Sequence, residues 1–246
     1  MSRTVVITGG AKGIGRATAL RFVEQGDRVI ALGRDHAALD ALRAEAEIET
    51  AECDVTDETA VVQTFGGIGA VDVLVASAGM GESASLADTT LEMWERHLAV
   101  NATGAFLCVR AVVPGMRERG RGAVVTVAST AGRVGAPYTT AYTAAKHALV
   151  GLTRAVAAEL AGTGVRVNAV CPTFVNTEMT ERTIARIVAR TGRTAEQAQE
   201  ALANASPLGR LLEPREVADA IVFLASPAAS AITGQAVVID GGGIQA

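Results

Sequence analysis

The chain has 246 residues, 49% hydrophobic and 20% charged, with a formal net charge of −4; that is room for one α/β domain with a sizeable core. Only 3% of residues are aromatic, so the core must be aliphatic. A mixed, slightly acidic balance argues against a nucleic-acid partner, whose phosphates call for a basic face, and three scattered cysteines, Cys53, Cys108 and Cys171, argue against a disulfide framework or a metal site.

The first residues, "MSRTVVITGG", enter a strand pattern at once. They carry no signal-type apolar region, and no run is read as membrane-spanning, so a soluble cytoplasmic protein is expected. Strands are expected at "TVVIT" (Thr4 to Thr8), "RVIAL" (Arg28 to Leu32), "DVLVAS" (Asp72 to Ser77), "AVVTVAS" (Ala123 to Ser129), "VRVNAV" (Val165 to Val170) and "AVVID" (Ala236 to Asp240). "ETAECD" (Glu49 to Asp54) is a weaker seventh. Their near-continuous apolar character suits strands covered on both faces. Helix patterns alternate with them: "IGRATALRFVEQG", "HAALDALRAEA", "TLEMWERHLAVNATGAFLCVRAVVPGM", "TAYTAAKHALVGLTRAVAAELAG" and "PREVADAIVFLAS". The alternation predicts a doubly wound parallel sheet of about seven strands with helices on both faces, in one domain spanning 1–246. From about 173 to 207 the rhythm breaks into two helix patterns, "ERTIARIVAR" and "AEQAQEALAN", the second opened by a capping box at Thr194 and Gln197. An insertion there is expected to cover a site at the carboxyl ends of the strands, as a substrate lid.

"TGGAKGIG", Thr8 to Gly15, lies between the first strand and the first helix. Gly9 permits a tight turn, and Gly13, Ile14 and Gly15 bring backbone and helix N-terminus to where a pyrophosphate would sit. The end of the second strand decides which nicotinamide cofactor is expected. An acid there binds a ribose 2′-hydroxyl, whereas an arginine accepts a 2′-phosphate. Gly33 and Arg34 stand at that place, with Lys12 in the glycine loop, and both cations point to NADPH/NADP. The alternative is NADH/NAD with Asp35 on the ribose.

Six motifs, in this order and spacing, resemble the short-chain dehydrogenase/reductase family over essentially the whole chain. They are "TGGAKGIG", "CDV" at Cys53 to Val55, "NATG" at Asn101 to Gly104, "VAS" ending at Ser129, "YTAAK" at Tyr142 to Lys146, and "RVNAVCP" at Arg166 to Pro172. The resemblance implies a Rossmann-like fold, a homotetramer, and hydride transfer between NAD(P) and a carbonyl or alcohol. It places Asn101, Ser129, Tyr142 and Lys146 on the catalytic tetrad. It places Thr8, Asp54, Val55, Ala78, Gly79, Val175 and Thr177 beside the cofactor, together with Tyr142 and Lys146. The chemistry suits the residue types. An ordinary phenol ionises near ~10, too high for efficient acid/base work near neutral pH. Lys146, four residues on and on the same helix face, is expected to lower it. Ser129 would hold the substrate oxygen, and Asn101 would position a water linked to Lys146. Tyr138 is expected at the pocket mouth as a wall residue.

The C-terminal half, "LVGLTRAVAAELAGTGVRVNAVCP" and "SPLGRLLEPREVA", is most similar to reductases of 3-oxoacyl thioesters and polyketide ketones. Arg182, Arg186 and Arg190 share one face of the first lid helix. They read either as a solvated face or as partners for coenzyme A or an acidic carrier protein. The alternatives are an NAD-dependent dehydrogenase of a sugar, steroid or small cyclic alcohol, and a non-catalytic dinucleotide-binding protein.

Overall fold

A computed structural model describes residues 2–245. Seven parallel strands form one sheet: β1 (Thr4–Thr8), β2 (Arg28–Gly33), β3 (Ile48–Glu52), β4 (Val73–Ala76), β5 (Gly122–Val127), β6 (Val165–Pro172) and β7 (Ala236–Ile239). Their spatial order is β3-β2-β1-β4-β5-β6-β7. The chain winds outward from β1 to β3, then returns and winds the other way from β4. The connections after β1 and β4 therefore diverge, and a crevice opens between them at the strands' carboxyl ends.

Successive side chains of a strand face opposite ways, and β1 shows what that does to the core. Val5 and Ile7 join Phe22, Val29, Ile221 and Leu224 on one face of the sheet. Val6 joins Ile30, Leu32, Leu74, Leu107 and Met116 on the other. Both clusters are closed to solvent, so each large side chain contributes about 1.5–3 kcal/mol of burial. Helices α1 (Gly13–Val23) and α9 (Pro214–Ala225) cover the first face. The second carries α3 (Glu58–Ile68), α5 (Gly104–Glu118) and α6 (Thr140–Glu159), while α2 (His36–Glu45) flanks β2 and β3. The inserted segment folds as α7 (Glu178–Thr191) and α8 (Ala195–Ala203), and Thr194 and Gln197 make the expected reciprocal cap.

Three expectations change. Helix α3 had no reading in the sequence; two glycines near its end weaken the pattern, and Asp57 starts it by accepting from the amides of Thr59 and Ala60. The long helix read from Thr90 to Met116 is α4 (Leu91–Leu98), a π turn over Ala99–Thr103 and then α5. A π turn inserts one residue into the helical ladder and often marks a functional site; here it surrounds Asn101. Finally, Leu91–Glu118 is, by length and composition alone, long and apolar enough to span a membrane. In the fold its apolar face is spent against the sheet, with Leu107, Cys108, Val112 and Met116 buried.

Candidate active site

The glycine loop is held by steric necessity. A Cβ on Gly15 would stand 2.1 Å from the Gly9 carbonyl oxygen, and one on Gly9, whose φ is +64°, would stand 2.9 Å from Ala78 Cα. The loop therefore passes between the β4 end and the start of α1 with no room for side chains. Thr8 secures that junction from beneath: its buried hydroxyl accepts the amides of Ser77 and Ala78, each at 3.1 Å. The crevice continues as one cavity of about 570 Å³ from Gly33 and Arg34 to Tyr142. Its size lies within the range of small-molecule sites. Gly9, Lys12, Gly13, Ile14, Gly15, Arg34, Gly79, Asn101, Ser129, Tyr138, Tyr142, Lys146, Val175 and Thr177 all line it. Thr8, Asp54, Val55 and Ala78 do not border it and act from behind. Asp54 accepts from Thr56 and from Arg34; burial works against its charge, but these bonds hold its carboxyl below the usual range. Val55 packs on Gly104, where a Cβ would come within 2.7 Å of it.

At the adenosine end both expected cations already face acids. Arg34 is 3.1 Å from Asp54. Lys12 is 2.8 Å from Asp35 and 3.2 Å from Glu178, the first residue of α7. Asp35 is also the cap of α2, accepting the Ala38 amide. All these groups are well exposed, so the pairs are worth little on their own. Thr177 closes over the glycine loop, its Cγ2 3.1 Å from where a Gly13 Cβ would be. Its hydroxyl donates to the Val175 carbonyl at 3.3 Å rather than capping α7.

At the other end, Ser129 leaves β5 in extended conformation, accepts the Ala131 amide and hydrogen-bonds the Tyr142 phenol. Lys146, 4% exposed, donates to the Val127 carbonyl at 2.8 Å and lies 5.7 Å from the centre of the Tyr142 ring. This corrects one expectation: burial pushes the phenol above its ordinary value, and the bond from Ser129 only partly offsets it. The lysine carries the opposite consequence, since burial lowers its own pKa from 10.5 to about 8.

Asn101 is fully buried, and its carboxamide is committed. It accepts the Met80 amide at 3.1 Å, and donates to the Met80 carbonyl at 3.0 Å and the His97 carbonyl at 3.1 Å. It thus clamps the strand-like segment after β4. A Cβ on Gly79 would stand 2.9 Å from Asn101 Oδ1 and 3.6 Å from Lys146 Nζ, so glycine leaves the gap that both groups border.

Tyr138 is 65% exposed, with φ +63°. It precedes α6 and turns the chain so that its carbonyl accepts the Ala84 amide at 2.9 Å. The arginine face of α7 is not uniformly solvated. Arg182 pairs with Glu178, and Arg186 donates to the Gly81 carbonyl at 3.2 Å and lies 3.6 Å from Glu82. The sequence reading missed Ser77, Gly81, Met179, Thr183, Ile187 and Leu202, which also line the cavity. Their only sequence signal was membership of the segment after β4 or of the expected lid.

The family model described as enoyl-(acyl carrier protein) reductase matches residues 9–243. A 3-oxoacyl-[acyl-carrier-protein] reductase of Thermotoga maritima is 39% identical over 249 residues, covering 98% of this chain and 97% of that one. The chain belongs to the short-chain dehydrogenase/reductase family. It is accordingly an oxidoreductase of the ketone–alcohol couple that uses a nicotinamide cofactor. A 2-keto-3-deoxy-L-fuconate dehydrogenase of Xanthomonas campestris pv. campestris is 38% identical over 239 residues, covering 96% of this chain and 78% of that one. Among solved structures, an actinorhodin polyketide ketoreductase variant with NADPH superposes with a TM-score of 0.94 at 34% identity, covering 98% of this chain and 97% of that one.

Proposed function

We propose that the protein reduces a 3-oxoacyl thioester or polyketide-type ketone to its 3-hydroxy product, with NADPH preferred. The observation that carries this reading is the chamber beside Ser129 and Tyr142. Val134, Pro137 and Tyr138 wall one side, and Met179, Ile187 and Leu202 the other. A cavity whose lining is largely apolar, interrupted by groups such as Ser83, Arg182 and Thr183, suits an acyl or polyketide chain with a reacting carbonyl.

The residues at the cleft fit a dinucleotide. The tight glycine turn presents backbone to a pyrophosphate at the α1 N-terminus; Lys12 and Arg34 would receive the 2′-phosphate, exchanging their present carboxylates for it. Gly79 leaves room beside the nucleoside. Tyr142 and Lys146 would hold the nicotinamide ribose, and Val175 and Thr177 the carboxamide. The reduced nicotinamide supplies hydride to the carbonyl carbon. The chain's own part is the proton. Ser129 would hold the carbonyl oxygen beside the Tyr142 hydroxyl, the proton donor; burial raises the phenol's pKa and so weakens it as an acid, an effect that the bond from Ser129 offsets in part. Lys146 and Asn101, bordering one gap, would hold the water that reprotonates the phenol.

The exposed outer faces of α5 and α6, including Phe106, Ala148 and Gly151, support a homotetramer. Three free, buried cysteines suit the cytoplasm. One observation favours a second reading, an NAD-dependent dehydrogenase of a sugar, steroid or small cyclic alcohol. Lys12 and Arg34 are each already matched by acids, as a site without a 2′-phosphate would require. A screen of NADPH and NADH against acetoacetyl-CoA, cyclic ketones and aldonate-type sugars separates the readings. Turnover of acetoacetyl-CoA with NADPH supports the first; turnover confined to sugars or cyclic alcohols with NAD overturns it.

A further inference from the structure

His97 lies at the end of α4, one turn before Asn101, and is completely buried. Its surroundings fix its protonation. Nε2 is 3.1 Å from the Glu82 amide, which can only donate, so Nε2 must be an acceptor. Nδ1 is 2.7 Å from the Met93 carbonyl, which can only accept, so Nδ1 carries the proton. The ring is therefore the neutral Nδ1–H tautomer. Its edge meets the Tyr142 ring, with centroids 6.3 Å apart and planes at 77°.

The Glu82 amide belongs to the segment between β4 and α4, which passes directly over Tyr142. A Cβ on Gly81 would stand 3.7 Å from Tyr142 Cε2 and 3.2 Å from Met179 Sδ. Asn101 holds this segment at Met80, Arg186 at the Gly81 carbonyl and the Tyr138 carbonyl at Ala84. His97 accepts from the segment's central amide, that of Glu82, and also meets the Tyr142 ring. The titratable and charged groups around it are Tyr142 and, across that ring, Lys146 from α6; Glu82 from the segment; Arg96 from α4; and Arg186 from α7. The last two both reach the Glu82 carboxylate.

We propose that His97 is a positioning residue, whose neutral imidazole holds the Met80–Ala84 segment and the Tyr142 ring in register so that the ketone seats within reach of the phenol. His97 touches no reacting atom; it acts through Tyr142 and the wall of the chamber. A misplacement of about 1 Å at such a site costs up to about 100-fold in rate.

The inference rests on the ketone-reductase reading, and the test separates the two. In the full chain, His97→Gln keeps an acceptor for Glu82 and a donor for Met93. His97→Phe keeps the ring volume against Tyr142 and neither hydrogen bond. With acetoacetyl-CoA as probe, His97→Phe is expected to lower kcat/KM by about 10- to 100-fold, chiefly through KM, with the NADPH dissociation constant within about twofold of wild type. His97→Gln, which keeps both hydrogen bonds, is expected to stay within about threefold of wild type. Amide hydrogen exchange over 79–84, which needs no substrate, is expected to quicken in His97→Phe and to stay near wild type in His97→Gln. A folded His97→Phe with unchanged kcat/KM, an equal loss of NADPH affinity, or a loss in His97→Gln as large as in His97→Phe overturns the proposal. Faster exchange in His97→Phe, with no ketone turned over by wild type, supports the clamp and overturns the substrate reading alone.

Discussion

Lys146 is the residue whose removal should separate activity from stability. Its ammonium is buried, and its pKa falls from 10.5 to about 8. That span, at about 1.36 kcal/mol per tenfold change in proton affinity, is about 3 kcal/mol of penalty for keeping the charge inside. The sign follows from proton counts. Below about pH 8 both folded and unfolded chains hold the proton, and the penalty is complete. Between about 8 and 10.5 the unfolded chain holds more protons than the folded one, so stability rises with pH. Lys146→Met keeps the stem and removes the charge. It gives up the hydrogen bond to Val127, worth about 1 kcal/mol. The net expectation is a protein more stable by about 2 kcal/mol at pH 7, a rise of about 4–8 °C in Tm for a chain of this size, and without turnover. Thermal unfolding of both proteins followed by circular dichroism from about pH 6.5 to 10.5 measures this. The difference between them should shrink as pH rises. A variant less stable than wild type at neutral pH, or a difference that ignores pH, would refute the burial argument.

The other expectations are briefer. Tyr142→Phe should abolish turnover while NADPH still binds, and ultraviolet titration of wild type against it should place the Tyr142 phenolate above the ordinary tyrosine range; ionisation below that range would contradict burial as the dominant influence. Arg34→Asp should shift the NADPH-to-NADH ratio of kcat/KM toward NADH by at least about tenfold, or about 1.4 kcal/mol; an unchanged ratio removes Arg34 from cofactor choice. Tyr138→Gly should relieve the +63° backbone and raise Tm by about 2–4 °C, for roughly 1 kcal/mol of strain, while KM for the ketone increases. A fall in Tm would mean that the exposed ring contributes more than its backbone costs.

The sequence by itself determined the architecture and most of the residues expected at the cleft. Apolar runs such as Thr4 to Thr8 and Val165 to Val170 read as strands covered on both sides, and the helix patterns between them left parallel pairing as the outcome. The Tyr142–Lys146 spacing and the glycine loop were legible because helix periodicity and backbone sterics act over a few residues. What the tertiary structure alone decided is electrostatic and long-range. Lys146 was expected to lower the Tyr142 pKa, yet its ammonium turns to Val127, nineteen positions away in sequence, and burial raises the phenol instead. Lys12 and Arg34 read as free cations until Asp35, Glu178 and Asp54 appeared beside them. Asn101 stood within one helix until a π turn aimed its carboxamide at Met80. His97 looked like any helix residue, because what it holds lies on a segment fifteen positions earlier. Local spacing names the groups that can meet; which charges are buried, and what each hydrogen bond is spent on, depends on chain that is distant in sequence and adjacent only in the fold.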